Sequence, residues 1–244
     1  MPHRLIHAVA VGFLALMASP SLPAQETGQR PWQLQTDFGL VNTAGNTSTT
    51  TLNAGEKGSY LVGAWTFAQQ FSVVYGKTDG RTSAENYTAV LRGDYALSKR
   101  FGIYVLGQWD RNEFAGISRR FEEGAGLAFK AAATQRTTLS IETGLGGNQQ
   151  RDLVGDTRNF VSGRGAVLLK QMLNDRAYLQ QLGEVLPNLK DSKDVRINSE
   201  TSLVAPLSSR VALKVGYVVR FDNQPEPGFE KTDRFLTSGL QVAL

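Results

Sequence analysis

The chain has 244 residues, of which 41% are hydrophobic and 20% charged, with 25 glycines and a formal net charge of +4. This composition is neither disordered nor collagen-like, and it predicts one compact unit. The chain contains no cysteine, which excludes disulfides, thiol nucleophiles and thiolate metal sites. After the N-terminal segment, no apolar run reaches the roughly 20 residues of a membrane-spanning helix, so a membrane protein with this sequence must be a β-barrel.

Residues 1–24 have the order of a secretory signal peptide. The basic residue Arg4 precedes an apolar stretch from Ala8 to Ala18, and small Ala24 precedes polar residues. A short membrane anchor is the alternative, but the apolar stretch is too short for it. We therefore predict export with cleavage near Ala24, followed by a short periplasmic segment over residues 25–31. Cleavage would remove both histidines of the chain.

From Trp32 onward, apolar and polar residues alternate with the period of two that is typical of β-strands. In the first segment Leu34 and Phe38 alternate with polar Gln33 and Asp37, and the same pattern returns up to the C-terminus. No segment has a helical period, so the sequence predicts an all-β meander. About twelve strands are predicted, near 31–42, 47–58, 62–76, 84–96, 101–112, 119–130, 137–149, 158–171, 176–188, 194–205, 210–222 and 233–244.

The predicted connections fall into two alternating sets. One set is short, whereas most members of the other are longer and richer in charge, glycine and proline. Short turns at one rim and longer loops at the other are typical of outer-membrane barrels with both termini in the periplasm. The predicted longer connections are Gly76 to Ser83, Arg111 to Ser118, Gln149 to Thr157, Asn188 to Asp194 and Asp222 to Thr232; the first connection on that side, Asn42 to Asn46, is short.

Alternation alone also fits a secreted soluble β-sandwich, whose oily face would be its core. Aromatic residues on the oily face lie toward strand ends, as in the interfacial belts of membrane barrels. The last strand carries Thr237, Gly239 and Val242 in an order that resembles the C-terminal signal of the barrel assembly machinery, although Leu244 replaces the usual final aromatic residue. We therefore predict an antiparallel up-and-down transmembrane β-barrel over residues 32–244, in the outer membrane.

The polar face of the predicted strands would line the lumen, and it mixes charges of both signs with small polar residues. Glycines recur on the strands at period two, and we expect them to permit coiling and close packing of lumen side chains. These glycines are Gly124, Gly126, Gly144, Gly146, Gly163 and Gly165. The predicted lumen charges are Asp37, Arg92, Asp94, Asp110, Arg120, Glu122, Glu142, Arg164, Glu184, Glu200, Lys214 and Arg220.

The mature chain offers little for catalysis, because outer-membrane barrel enzymes use a histidine as base or as partner of a nucleophile. Neighbouring carboxylates such as Asp110 with Glu113, or Glu226 with Glu230, are typical of solvated loops and lumen ion pairs. No loop has the alternating acid spacing of a calcium site. The sequence therefore predicts a protein that is not an enzyme and has no cofactor.

Lysine and arginine are interleaved with acids through nearly every strand and loop instead of forming one basic stripe, so no nucleic-acid partner is predicted. The predicted partners are outer-membrane lipids, lipopolysaccharide and the barrel assembly machinery, which would read the C-terminal strand. Lipopolysaccharide phosphates would meet basic residues at the outer rim. These are Lys77, Arg81, Arg119, Arg151 and Arg158.

The stretch Gly39 to Thr47 resembles the opening hairpin of the salt-induced outer-membrane proteins, domain of unknown function 481. Further similarities follow in the family's order and spacing at 91–95, 200–207 and 217–222, and together they extend over most of residues 32–244. The resemblance implies an outer-membrane barrel of a Gram-negative cell with a link to salt or osmotic stress. The family has no established catalytic residues, so the resemblance assigns none to this sequence.

Two functions follow from a barrel of this size. Barrels of about eight strands fill their own lumen, whereas those of about sixteen enclose an aqueous channel. A barrel of about twelve strands fits a narrow, porin-like pore. It also fits a plugged structural barrel whose outer loops bind lipopolysaccharide or another partner.

Overall fold

The computed structural model describes residues 31–43 and 49–243, and these residues form twelve strands. Strand formation follows the alternation in the sequence, because most large apolar residues of the strands point outward and most polar residues point inward. The strands are β1 (Trp32–Thr43), β2 (Thr49–Val62), β3 (Trp65–Thr78), β4 (Arg81–Ala96), β5 (Phe101–Asn112), β6 (Ile117–Ala133), β7 (Thr137–Asp152), β8 (Thr157–Met172), β9 (Tyr178–Pro187), β10 (Val195–Pro206), β11 (Val211–Asp222) and β12 (Thr232–Ala243).

The sheet is a closed barrel in which every strand is antiparallel to its neighbours. Strands adjacent in sequence are adjacent in space, and the ring closes where Gln35 pairs with Ala243 and Phe38 pairs with Leu240. Within the described residues, the pairing of β1 with β12 means that neither the first nor the last strand is left as a free edge. The prediction of an all-β, up-and-down barrel of about twelve strands is confirmed, and the two-sheet sandwich is excluded.

The two faces of the barrel wall differ sharply in chemistry. Leu127 and Leu145 point outward and are 58% and 61% exposed, whereas Glu142 points inward and is 4% exposed. This inversion, with apolar side chains outside and charged ones inside, is the arrangement of a transmembrane barrel. Other exposed apolar residues of the outer face are Phe38, Phe71, Leu91, Val105, Leu213 and Leu236.

Aromatic side chains mark both ends of the outer face. Near one rim the rings of Trp65 and Tyr95 lie 5.0 Å apart, and those of Phe101 and Phe129 are also 5.0 Å apart. Toward the other rim Trp109 and Phe121 are cross-strand partners. The apolar band is therefore bordered by aromatic residues at both rims, as interfacial belts require.

The two rims carry different connections. The connections 97–100, 134–136, 173–177 and 207–210 share a rim with the start of β1 and the end of β12. We call the opposite rim the outer rim. It carries the connections 188–194 and 223–231, which agree with two of the predicted longer loops. The prediction of a loop from Gly76 to Ser83 is wrong, because β3 and β4 continue to a tight turn. Its residues Asp79 and Gly80 have φ of 50° and 76°, a left-handed pair that suits a two-residue hairpin.

The glycine prediction is right for one pair of strands and wrong for β8. Gly126 and Gly144 face the lumen, where a Cβ on Gly126 would stand 2.6 Å from the hydroxyl of Tyr104. Gly163 and Gly165 face outward instead, with Pro187 and Val185 as neighbours. The reason is parity, because inward Arg164 lies between them.

Several predictions fall outside the described residues. These are the signal peptide over 1–24, the periplasmic segment up to residue 30, the connection 44–46 and the final residue Leu244. A single 3₁₀ turn, Glu113–Ala115, is the helical segment of the described chain. No helix in the described ranges is long and apolar enough to cross a membrane.

Candidate functional site in the barrel lumen

Every predicted lumen charge makes an ion pair in the structure. The strands deliver them from around the ring, since alternate residues of each strand point inward. β1 carries Asp37, β4 carries Arg92 and Asp94, β5 carries Asp110, β6 carries Arg120 and Glu122, β7 carries Glu142, β8 carries Arg164, β9 carries Glu184, β10 carries Glu200, and β11 carries Lys214 and Arg220.

The central group of charges is built on Glu142. Its Oε1 accepts a hydrogen bond from Arg92 Nη2 at 2.7 Å, and its Oε2 accepts one from Arg164 Nη1 at 2.7 Å. The two arginines continue the chain of contacts to Asp94 and Glu184, each at 2.6 Å. Because both oxygens of the buried carboxylate bind a guanidinium, the cost of removing these charges from water is offset by short, charge-assisted bonds.

Tyr104 fills the space between these two arginines. Its ring centroid lies 4.4 Å from Arg92 Cζ and 5.1 Å from Arg164 Cζ, and its hydroxyl accepts a hydrogen bond from Arg164 Nη1 at 2.9 Å. Guanidinium groups favour the face of an aromatic ring. The hydroxyl reaches this position because β6 and β7 present Gly126 and Gly144 there, where side chains would collide with it.

A second group joins β10 to β6, which lie four strands apart in the ring. Arg196 on β10 binds Glu122 on β6 at 3.1 Å, and it donates to Asn148 Oδ1 at 2.7 Å. Asn148 in turn donates to Ser162 Oγ at 2.8 Å. All four residues are buried. The contact between β10 and β6 therefore crosses the lumen and narrows it.

Closer to the outer rim, Asp110 contacts polar side chains from several strands. Thr88 donates to it at 2.8 Å and Gln108 at 2.6 Å, while Arg220 Nη1 on β11 lies 3.7 Å from it. Arg120 nearby donates to Gln150 at 2.7 Å. The pair of Asp110 and Arg220 is a second bridge across the lumen, between β5 and β11.

The wall around β1, β2, β10 and β11 is more open. Lys214 contacts Asp37, and Lys57 lies 3.9 Å from Glu200. The side chains of Lys57 and Glu200 are 37% and 29% exposed, in contrast to 2% for Glu142. A cavity of about 140 Å³ lies along this wall, and all four of these charged residues line it. Water therefore reaches this half of the lumen, while the half around Tyr104 is closely packed.

The sequence prediction missed further lumen charges, among them Arg196, Lys57 and Asp222. Arg196 has the same parity as Glu200 on β10, so the rule that selected Glu200 could have found it. Lys57 follows directly after Glu56 on β2, so polarity alone does not show which of the two side chains faces the lumen. Asp222 ends β11 and lies 3.8 Å from Arg120.

The lumen wall carries fixed charges of both signs. Its acids are distributed among arginines and lysines, and within 31–43 and 49–243 no group of three acidic, histidine or cysteine side chains is arranged to hold a metal ion. Fixed charges of both signs with access to water can attract and repel small ions.

Comparisons with known proteins agree with this architecture. The uncharacterized protein YdiY of Escherichia coli (strain K12) is 22% identical over 221 residues, which cover 89% of this chain and 85% of YdiY. A solved NanC porin shares the fold at 10% identity with a TM-score of 0.50, covering 87% of this chain and 97% of that one. The family model "Protein of unknown function, DUF481" matches residues 36–244. Because this match extends over most of the chain, the protein belongs to the DUF481 family, as the resemblance predicted.

Proposed function

We propose that this protein is a non-enzymatic outer-membrane barrel that acts as a narrow, porin-like pore for small ions and polar solutes. Membrane insertion is supported by the closed ring and by the exposed apolar band, since a wall of leucine, valine and phenylalanine is stable in lipid but not in water. The shared fold with a porin is consistent with this role.

The observation that carries the proposal is the hydrated wall of the lumen. Lys57 and Glu200 keep a third of their side-chain surface accessible at a separation of 3.9 Å, next to the cavity of about 140 Å³. Paired charges that merely filled the interior would exclude water, as they do around Glu142. The exposed pair is therefore suited to line a path for ions.

The path is narrow because ion pairs cross the lumen. Arg196 and Glu122 join β10 to β6, and Arg220 and Asp110 join β11 to β5. We expect small solutes to pass and larger ones to be excluded. Since both signs of charge line the path, selectivity between cations and anions should be weak.

A second candidate, the plugged structural barrel, is favoured by the burial of Tyr104 and Ser162, which are 2% and 0% exposed. In a plugged barrel, close packing like that around Tyr104 would fill the whole cross-section of the lumen. Such a barrel would serve as a rigid membrane support for its outer loops.

Planar-bilayer recordings of the purified full chain separate the two candidates. We expect small, steady currents from the wild type, and persistent silence would support the plugged barrel instead. Arg220→Gln should enlarge the current and shift selectivity toward cations, because it removes a positive group that bridges the lumen. Asp110 keeps its hydrogen bonds to Thr88 and Gln108, so the wall should retain its structure.

Arg234→Gln is the matched control, since Arg234 lies on the next strand, is exposed and pairs with outward Val219. It removes the same charge from the outer face, so conductance and selectivity should stay those of the wild type. If the two variants changed the current equally, the bridge between Arg220 and Asp110 would not be part of the conducting path.

A further inference from the structure

Two arginines on the outer face of the barrel oppose each other directly. Arg119 on β6 and Arg151 on β7 are cross-strand partners near the outer rim, and both are exposed. Like charges in directly opposite positions destabilise a sheet. Such a pair therefore calls for an anion that binds between the two guanidinium groups.

Acidic side chains compensate the charge of a nearby arginine but not the charges of these two. Arg111 on β5, at the same rim, lies 3.8 Å from Glu85 and contacts Glu113. Arg119 and Arg151 make no ion pair with any residue in the described part of the chain. The outer face of β6 and β7 thus carries two adjacent arginines whose charge no acidic side chain in the described part of the chain compensates.

A cavity of about 440 Å³ lies beside the arginine pair. Trp109 and Phe121 line it on the membrane side, and they are themselves cross-strand partners. Gln149 and Thr157 add polar groups to its wall. The cavity therefore combines two guanidinium groups with an aromatic surface, and it opens to the side of the barrel where lipid would lie.

We propose that this cavity binds a phosphorylated glycolipid of the outer leaflet, lipopolysaccharide. The Arg119 and Arg151 guanidinium groups bind a phosphate of the glycolipid through charge-assisted hydrogen bonds, for which their fork geometry is suited. Trp109 and Phe121 pack against the first part of an acyl chain. Aromatic belts lie at the level of lipid headgroups, which places the arginines at the height of the phosphates. A free phosphate ion would not use the aromatic surface.

The proposed site includes fewer basic residues than the outer rim predicted from the sequence. Arg158 contacts Glu226 of the loop 223–231, and Lys77 lies over the ring of Tyr75 at 5.8 Å. The inference rests on the outer-membrane placement in the proposed function but not on conduction. A silent barrel that retains lipopolysaccharide would separate the two.

The test uses full-length protein purified in mild detergent and native mass spectrometry with added lipopolysaccharide. We expect wild-type protein to hold the lipid and the double variant R119Q/R151Q to bind it at least about tenfold more weakly, since contacts to charged groups are lost. The variant R119K/R151K should restore part of the binding, because charge returns without the fork. Each variant is first shown to be folded by its heat-dependent migration on a gel.

The control variant R234Q removes an exposed arginine from the same face and rim and should bind lipopolysaccharide like the wild type. Lipopolysaccharide without its phosphates, phosphatidylglycerol and inorganic phosphate serve as competitor probes, and none should displace the intact lipid. The proposal is overturned if R119Q/R151Q keeps full binding or if R234Q weakens it equally. Displacement by phosphatidylglycerol or by inorganic phosphate at equal concentration would also overturn it, as it would indicate a general anion surface.

Discussion

Tyr104 shows how single residues determine the packing of the lumen. Its ring lies between Arg92 and Arg164, and its hydroxyl lies against the backbone of β6 and β7. Only glycine leaves room there, because a Cβ on Gly126 would stand 2.6 Å from that hydroxyl. The ion pairs on Glu142 depend on this placement, since Arg164 binds both Tyr104 and Glu142.

We expect Gly126→Ala to lower the free energy of unfolding by about 2 kcal/mol, because the added methyl group forces Tyr104 and the neighbouring strand to move. Denaturant titration of protein refolded in lipid vesicles measures the change. Gly107→Ala is the matched control on β5, where an added Cβ would meet nothing within 4 Å. A loss of stability as large in the control as at Gly126 would contradict the packing account.

The lumen charges could be predicted from the sequence, but their partners could not. Alternation assigns Arg92 and Glu142 to the inner face without further information. That these two residues meet depends on the register of strands separated by 50 positions in the chain. Register follows from the whole closed ring, so no local pattern reveals it.

At the scale of elements, the loop 223–231 lies over the turn between β5 and β6. Glu226 accepts a hydrogen bond from Gln150 at 2.6 Å and contacts Arg158, both on the far side of that turn. Phe229 also packs there, since a Cβ on Gly116 would stand 2.8 Å from its ring. The loop is thereby held against the rim.

We predict that Glu226→Ala increases amide hydrogen exchange across 223–231 by at least about tenfold, because the loop loses two contacts to its carboxylate, one of them charged. Exchange followed by mass spectrometry on the intact protein measures this. Glu230→Ala changes an exposed acid of the same loop and should leave the exchange unaltered. Equal exchange in the two variants would show that Glu226 does not hold the loop.

The ends of elements were the least predictable part of the fold. Charge and glycine between 76 and 83 indicate a loop, yet β3 and β4 pair up to Thr78 and Arg81. The tight turn at Asp79 and Gly80 permits this extension. A strand that extends beyond the apolar band is polar at its end. In the sequence such a strand end looks the same as a loop.

At the scale of the whole molecule, alternation and the even strand number predicted the architecture. Twelve antiparallel strands with one oily face can bury that face in lipid only if the first and last strands pair, as β1 and β12 do. Closure also brings the opposite strands β5 and β11 within reach of Asp110 and Arg220 side chains, which makes the lumen narrow. Membrane insertion is thus the claim on which the pore and the lipid site both depend.

Spin-label accessibility in lipid vesicles measures this claim directly, and the absence of native cysteine makes single labels unambiguous. Labels at Leu127 and Leu145, on the outer face, should be reached by dissolved oxygen but not by a water-soluble nickel chelate. Labels at Lys57 and Ser72, which line the lumen cavity, should show the opposite preference. If the nickel chelate reached positions 127 and 145 as readily as positions 57 and 72, the outer face would be in water and the account would be contradicted.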